Sequence, residues 1–352
     1  MTMNFQCPGC GATLTYKEGT DILKCEYCDT EVSIQALKER EEEKTQEEQY
    51  SFDRQQVVRE EEEQDFKAFH CSSCGAELLT DEYTAATFCS FCGSPALVEE
   101  RLTGEKRPTL IIPFKINREQ AMEKYRSWTK RGILTPKKFS SSQTLETISG
   151  MYVPYWLYDY DANVSMGAHG TKVNVTRKGD TEYIYTRHYD IYRNVTTQFD
   201  RVPQDASEKM VDSIMEQLEP FHYEDMTTFE LPYLSGFLAE KYNYTGEQLQ
   251  PKVEERVNQF ATDITRSTIQ GYSSVAVTYS NTNLSKIDMV YAMFPVWTLN
   301  YTYRGKLYTL TMNGQTGKMV GTLPISPKKA FAIWGIGSVV CFLLLLIIGG
   351  MV

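Results

Sequence analysis

At 352 residues the chain exceeds one small module, and its length predicts a medium globular domain with smaller units appended. Its 36 basic residues stand against 46 acidic ones, a formal charge of -10. That balance excludes broad electrostatic attraction to nucleic acid or anionic lipid, since both need a basic surface. Of its 9 cysteines, all but Cys341 fall into Cys-x-x-Cys pairs. Met1 to Gly19 contains no apolar stretch of the kind that heads a secretory leader. The thiols are therefore expected in reducing cytosol, where they bind metal more often than they form disulfides.

The first element in chain order is a zinc ribbon over 1–34. Cys7 and Cys10 form one pair, Cys25 and Cys28 the next, and 14 residues separate the inner cysteines. Each pair can place two sulfurs on one ion at a tight turn, and the intervening residues suffice for two short strands that complete a tetrahedron. Gly11 follows the second ligand, where positive φ turns backbone N–H groups toward the sulfurs. Such a ribbon has little core of its own, so metal supplies its folding free energy and the site is structural.

A charged helical linker over 35–69 comes next. Blocks such as Glu41 to Glu43 and Glu60 to Glu63 carry no heptad of apolar residues, which argues for a solvated helix or spacer rather than a coiled coil. A docking surface for a basic partner is the alternative. The second ribbon, over 70–100, repeats the first: CPGCGATL at Cys7 aligns with CSSCGAEL at Cys71, and its ligands are Cys71, Cys74, Cys89 and Cys92. Gly75 and Gly93 repeat the glycine device. Two structural Zn2+ ions are expected. Redox Cys-x-x-Cys chemistry fits poorly, because it uses one pair beside a βαβ unit.

From 107 to 327 the composition turns to Tyr, Val, Ile and Thr and predicts an α+β domain. Asn117 to Gln120 reads as a capping box opening a helix, Asp205 to Glu208 as the start of another, and Pro251 to Ile269 as a third. Strands are predicted at Leu110–Phe114, Met151–Val164, Glu182–Asn194, Ser274–Tyr279, Met289–Tyr303 and Lys306–Met312, with a turn at Asn313-Gly314. Pro154/Trp156/Tyr160 and Pro295/Trp297/Tyr301 repeat one spacing. Tyrosines crowd between Tyr152 and Tyr192, and they either pack across strands or line an aromatic groove.

The uncharged stretch from Ala330 to Val352 is long enough to predict one transmembrane helix, a tail anchor. Lys328 and Lys329 before it place the preceding residues in the cytoplasm, so a single-pass cell-membrane protein is expected. Cys341 within it reads as a packing residue. The expected fold is therefore multidomain: two N-terminal four-cysteine zinc ribbons (small β), an α+β globular domain and one C-terminal transmembrane helix.

No phosphate-binding loop, zinc-protease motif or nucleophile turn occurs. His188, among tyrosines, reads as structural, and Asp159 with Asp161 as a chance carboxylate pair. The chain is not expected to be an enzyme.

The paired ribbons together with IIPFKI at Ile111, GMYVPYWLYD at Gly150, FPVWTLNY at Phe294 and MNGQTGKMVGTLP at Met312 resemble a bacterial family of TFIIB-type zinc-ribbon membrane proteins, often labelled primosomal helicase-like. The resemblance implies an envelope-stress setting with SPFH (flotillin-like), PspA-type and TPM-domain protein partners. The function it implies is that of an adaptor or scaffold recruiting such partners to the membrane through a bilayer-inserted C-terminal helix. The alternative is a membrane-tethered zinc-ribbon protein that binds nucleic acid. Lys17 and Lys24 are outweighed in ribbon one by Glu18, Asp21, Glu26, Asp29 and Glu31, so nucleic acid is the weaker partner.

Overall fold

A computed structural model describes residues 4–40, 66–72, 77–81, 83–89, 94–98, 107–145 and 147–349. Cys74, Cys92, Gly75, Gly93 and most of the acidic linker lie outside the described residues. The chain divides into two compact units. One comprises Met1–Pro154, Lys209–Lys241 and Met293–Val352, the other Tyr155–Glu208 and Tyr242–Ala292.

The first unit opens with β1 (Leu14–Lys17), β2 (Ile22–Cys25) and β3 (Glu31–Ser33), a three-stranded antiparallel sheet, followed by helix α1 over 34–40. β4 (Phe66–His70) pairs with β5 (Glu77–Asp81). β6 (Thr84–Phe88) pairs with β7 (Pro95–Leu97) on one side and with β12 (Leu238–Glu240) on the other, through Ala239↔Ala86. The strands around the second cysteine set thereby extend the main sheet. β8 (Leu110–Ile111), the short helices α2 (Arg118–Thr129) and α3 (Ser142–Leu145), α4 (Asp212–Gln217) and β11 (Thr227–Thr228) follow in this unit. β14 (Lys306–Asn313), β15 (Met319–Gly321) and α6 (Pro327–Gly349) complete it.

Three long strands dominate the chain: β9 (Ser149–Lys178), β10 (Thr181–Asp205) and β13 (Ser274–Tyr303). β9 and β13 contribute residues to both units. In the first unit the sheet runs β11-β8-β13-β9-β12-β6-β7. Phe114, Tyr152, Phe237 and Trp297 form its aromatic centre, with Phe114 stacked on Phe237 at 4.2 Å.

In the second unit β9 and β10 form a long antiparallel hairpin from Asp205↔Tyr155 to Thr181↔Lys178, shifted in register between Phe199 and Val202. Helix α5 (Gly246–Ser267) lays Val253 and Val257 against Tyr158, Tyr160 and Val202. Ala261 meets Ala162 and Val164 one turn further on. Burying Val257 fully contributes about 1.5–3 kcal/mol.

The fold is mostly β, which corrects the expected α+β domain. The segment from Asp205 does not open a helix: Asp205 closes β10, and its carboxylate accepts the Ser207 N–H at 3.2 Å, leaving α4 only 6 residues. α5 begins earlier than Pro251, because Thr245 and Gln248 form a capping box upstream of it. The Asn117/Gln120 capping box of α2 is present. The predicted strands at 274–279 and 289–303 are one continuous strand.

The transmembrane expectation is overturned. Lys328 and Lys329 lie in the first turn of α6, and Lys329 Nζ donates to the Thr135 carbonyl at 2.6 Å, so the helix begins as part of the first unit. Among the described residues no helix is long and apolar enough to cross a membrane. The tail anchor over 330–352, and with it the single-pass cell-membrane placement, is not retained.

Candidate metal centre

The β1–β2 hairpin brings the two ends of the first cysteine set together. Cys25 is the last residue of β2 and pairs with Leu14, while Cys7 lies beside the bridge Gln6↔Thr13. Tight turns follow each pair: Gly11 N–H donates to the Cys7 carbonyl at 2.9 Å, and Asp29 N–H to the Cys25 carbonyl at 3.0 Å. Gly11 takes φ 73°, the left-handed conformation its position requires, and Asp29 takes φ 57°.

The Sγ atoms of Cys7, Cys10, Cys25 and Cys28 all lie within 4.8 Å of one another, a set able to hold one metal ion. Cys7 and Cys28 are 3.5 Å apart, and Cys10 and Cys25 are 3.6 Å apart. A tetrahedron with metal–sulfur bonds of about 2.3 Å has edges of about 3.8 Å, so the donor set fits a tetrahedral ion. Cys7 and Cys25 are buried; Cys10 and Cys28 are exposed.

Hydrogen bonds divide the thiols. Thr30 Oγ1 lies 3.1 Å from Cys28 Sγ, and its hydroxyl and backbone N–H bring the Cys28 thiol down to about 6. Burial opposes ionisation of Cys7, yet the Gly9 N–H, 3.4 Å from its sulfur, and the Cys10 N–H hold its thiol below the usual value. The Ala12 N–H favours the Cys10 thiolate, but the neighbouring sulfurs and burial outweigh it and push that thiol up to about 12. Four sulfurs this close cannot all carry charge unaided, and a bound dication relieves the repulsion.

The ribbon is docked on the segment 230–237 that leads into β12 of the first unit's sheet. Tyr16 N–H donates to the Ser235 carbonyl at 2.9 Å, and Ser235 Oγ donates to the Leu14 carbonyl at 2.6 Å. Tyr233 Oη donates to Asp21 Oδ1 at 3.0 Å, its ring meets Tyr16 edge to face at 5.2 Å, and Lys38 pairs with Glu230. Gly236 lets β1 approach closely, since a Cβ there would stand 3.3 Å from Thr15 Cβ. Phe5, Leu14, Tyr16, Leu23, Val32, Ile34 and Leu37 are all buried, so this ribbon has more apolar support than its length implies.

Of the second set, Cys71 and Cys89 are buried and pack with Ala96. His70, beside them, is exposed. The tyrosines divide: Tyr152, Tyr155, Tyr158 and Tyr160 are core residues, while Tyr183, Tyr185 and Tyr192 are exposed. Trp156 packs on Tyr242 and Tyr291 and donates to the Tyr244 carbonyl, and His188 is exposed. Asp159 accepts the Arg201 N–H at 2.6 Å where β10 shifts register, which accounts for that carboxylate structurally.

Thr30 and the docking residues Tyr233 and Ser235 are the parts of the centre that sequence reasoning misses. Thr30 stands two residues after the last ligand, a local signal. Nothing in the spacing links Ser235 to Leu14.

Fold and centre together define a mostly-β protein with a four-cysteine cluster near its N-terminus. The chain is 34% identical over 332 residues to the protein named Uncharacterized protein YdjG of Bacillus subtilis, over 94% of this chain and 93% of that one, and it belongs to the same family. No family model matches the chain. No solved structure matches it.

Proposed function

We propose that this protein is a non-catalytic zinc-ribbon adaptor that binds protein partners. The carrying observation is the closed set of Cys7, Cys10, Cys25 and Cys28: four sulfurs satisfy a tetrahedral ion and leave no position for substrate or water, which is the pattern of a structural site. We assign Zn2+ to it, because thiolate donors in tetrahedral array suit zinc. A second structural Zn2+ is assigned to Cys71, Cys74, Cys89 and Cys92.

The docking of the ribbon on segment 230–237 supports the adaptor reading, since it makes the metal a means of holding one continuous surface in shape. SPFH-, PspA- and TPM-type proteins are the partners to test, on the resemblance described above. Tagged full-length protein is captured from its native host after nuclease treatment, and co-purifying proteins are quantified against a Cys25→Ser variant. Reproducible enrichment that falls in the variant is the expected result. Equal recovery of every protein with both chains refutes a metal-dependent adaptor.

A further inference from the structure

Past the last contacts of helix α5, the β9–β10 hairpin runs on as a two-stranded arm. β13 starts beside Thr171, where the Ser273 N–H donates to the Thr171 carbonyl at 2.7 Å, so among the described residues no third strand accompanies the arm. Every residue from Lys172 to His188 is exposed, and a two-residue turn at Gly179, φ 66°, closes the far end.

Side chains directly opposite each other in a strand pair share one face, so the register sorts the two sides of the arm. On one side Ala168 and Ile191 pack with Ile269, just past the end of α5. Continued outward, that side sets Lys172 opposite Arg187, Tyr185 opposite Asn174 and Tyr183 opposite Thr176, with Lys178 beside the turn. Tyr183 is 46% exposed and Tyr185 58%, so both rings lie open to solvent. The carboxylates lie elsewhere: Glu182 and Asp190 belong to the opposite face, where Asp190 holds His169 at 2.7 Å, and Asp180 sits in the turn. Between Arg187 and the turn, about 20 Å of strand at about 3.4 Å per residue, this face carries cations and no carboxylate.

Two features of the face are costly for the chain alone. Like charges directly opposite destabilise a strand pair, and among the described residues neither Lys172 nor Arg187 is held in an ion pair. The Lys172 ammonium lies instead 5.6 Å and 5.1 Å from the ring centres of Tyr189 and Tyr272, which keeps a cation at the root of the arm. The second feature is the pair of open rings between Arg187 and Lys178. An anionic chain with unpaired bases answers both: its phosphates relieve the charges, and its bases stack on the rings beside the polar groups of Asn174 and Thr176. A duplex hides its base faces, and an acidic peptide leaves the rings without a stacking partner. We propose that this face of the arm binds single-stranded nucleic acid. The overall charge of -10 does not oppose contact, because charges more than about 10 Å away are largely screened at 0.1 M salt.

The site belongs to the second unit and goes beyond the adaptor reading, which stands or falls separately. Full-length protein, freed of nucleic acid by nuclease and high salt, is titrated into a short fluorescein-labelled oligothymidylate and followed by anisotropy. Neutralising three phosphates gives the logarithm of affinity a slope of about -2 against the logarithm of salt, so binding should weaken about tenfold between 100 and 300 mM. Lys172→Gln/Arg187→Gln and Tyr183→Thr/Tyr185→Thr alter exposed positions only, which preserves the fold, and each should weaken binding at least fivefold. No saturable binding, affinity independent of salt, or unchanged affinity in either variant overturns the proposal. Tighter binding to the matching duplex, to polyglutamate or to phosphatidylserine vesicles overturns it as well.

Discussion

Ser235→Ala isolates the docking of the metal ribbon from the metal itself. Ser235 is 1% exposed, its hydroxyl donates to the Leu14 carbonyl at 2.6 Å, and its own carbonyl accepts from Tyr16. Alanine keeps the backbone bond and removes the hydroxyl, leaving a buried acceptor short of a donor, which costs about 1–3 kcal/mol. The cost falls on the docked state, so opening of β1 becomes about 5- to 150-fold more frequent at ~1.4 kcal/mol per factor of ten. Hydrogen exchange followed by mass spectrometry on peptides covering Leu14–Lys17 reads that change directly. Peptides from α5 serve as the control, and metal content stays at its wild-type value because no ligand is touched. Exchange at β1 unchanged within twofold refutes the claim that Ser235 holds the ribbon in its dock.

Replacing Cys25 by Ser is expected to lower bound zinc by one ion per chain, measured by plasma mass spectrometry after gel filtration; an unchanged ratio refutes its place among the ligands. Asp225 gives a pH dependence. The Lys115 ammonium at 2.5 Å, helped by the Gln315 side chain, holds its carboxyl below the usual value against partial burial. A depressed carboxylate stabilises the fold above its unfolded pKa, about 3.9, and that stability is lost as pH falls through the lower folded value. The gap between the urea midpoints of wild type and Lys115→Met should therefore be largest at pH 5 and narrow steadily as pH falls below about 3.9; a gap that does not narrow on acidification contradicts the pairing. In α5, Val257→Ala removes a fully buried side chain and should cost about 2 kcal/mol, whereas Phe260→Ala, at an exposed position, should cost less than about 1 kcal/mol. Similar denaturation midpoints for the two variants contradict the helix orientation given above.

Local chemistry was the legible part of this chain. The spacing of Cys7, Cys10, Cys25 and Cys28 announced a four-sulfur site, and the structure brings those sulfurs together. Asn117 and Gln120 announced a helix start because a capping box is complete within four residues. The Thr245/Gln248 box carries the same signal, but Pro251 drew the reading to itself, since proline is favoured in a first turn and here sits further inside the helix. Asp205 to Glu208 reads as a helix start, but the pairing of Asp205 with Tyr155 shows that β10 takes Asp205, and the helix, α4, covers only Asp212–Gln217. An apolar run reads as a span from composition alone, whereas among the described residues no helix is long and apolar enough to cross a membrane; the tie between Lys329 and Thr135 is a tertiary fact with no local trace. Docking contacts are the least readable, because Tyr233 and Asp21 meet across 212 residues of chain.

That separation also has a temporal side. The Leu14 carbonyl and its Ser235 donor are 221 residues apart. At about 5–20 residues per second, the ribosome delivers Ser235 about 10 to 45 s after the cysteine hairpin has emerged. Throughout that interval the nascent hairpin has no dock to rest on, and a metal ion on its four cysteines is what could hold it closed. On the zinc assignment proposed above, cells starved of that metal during translation would produce chains whose N-terminal hairpin meets its dock unformed, and the damage would be set at birth rather than in the finished protein.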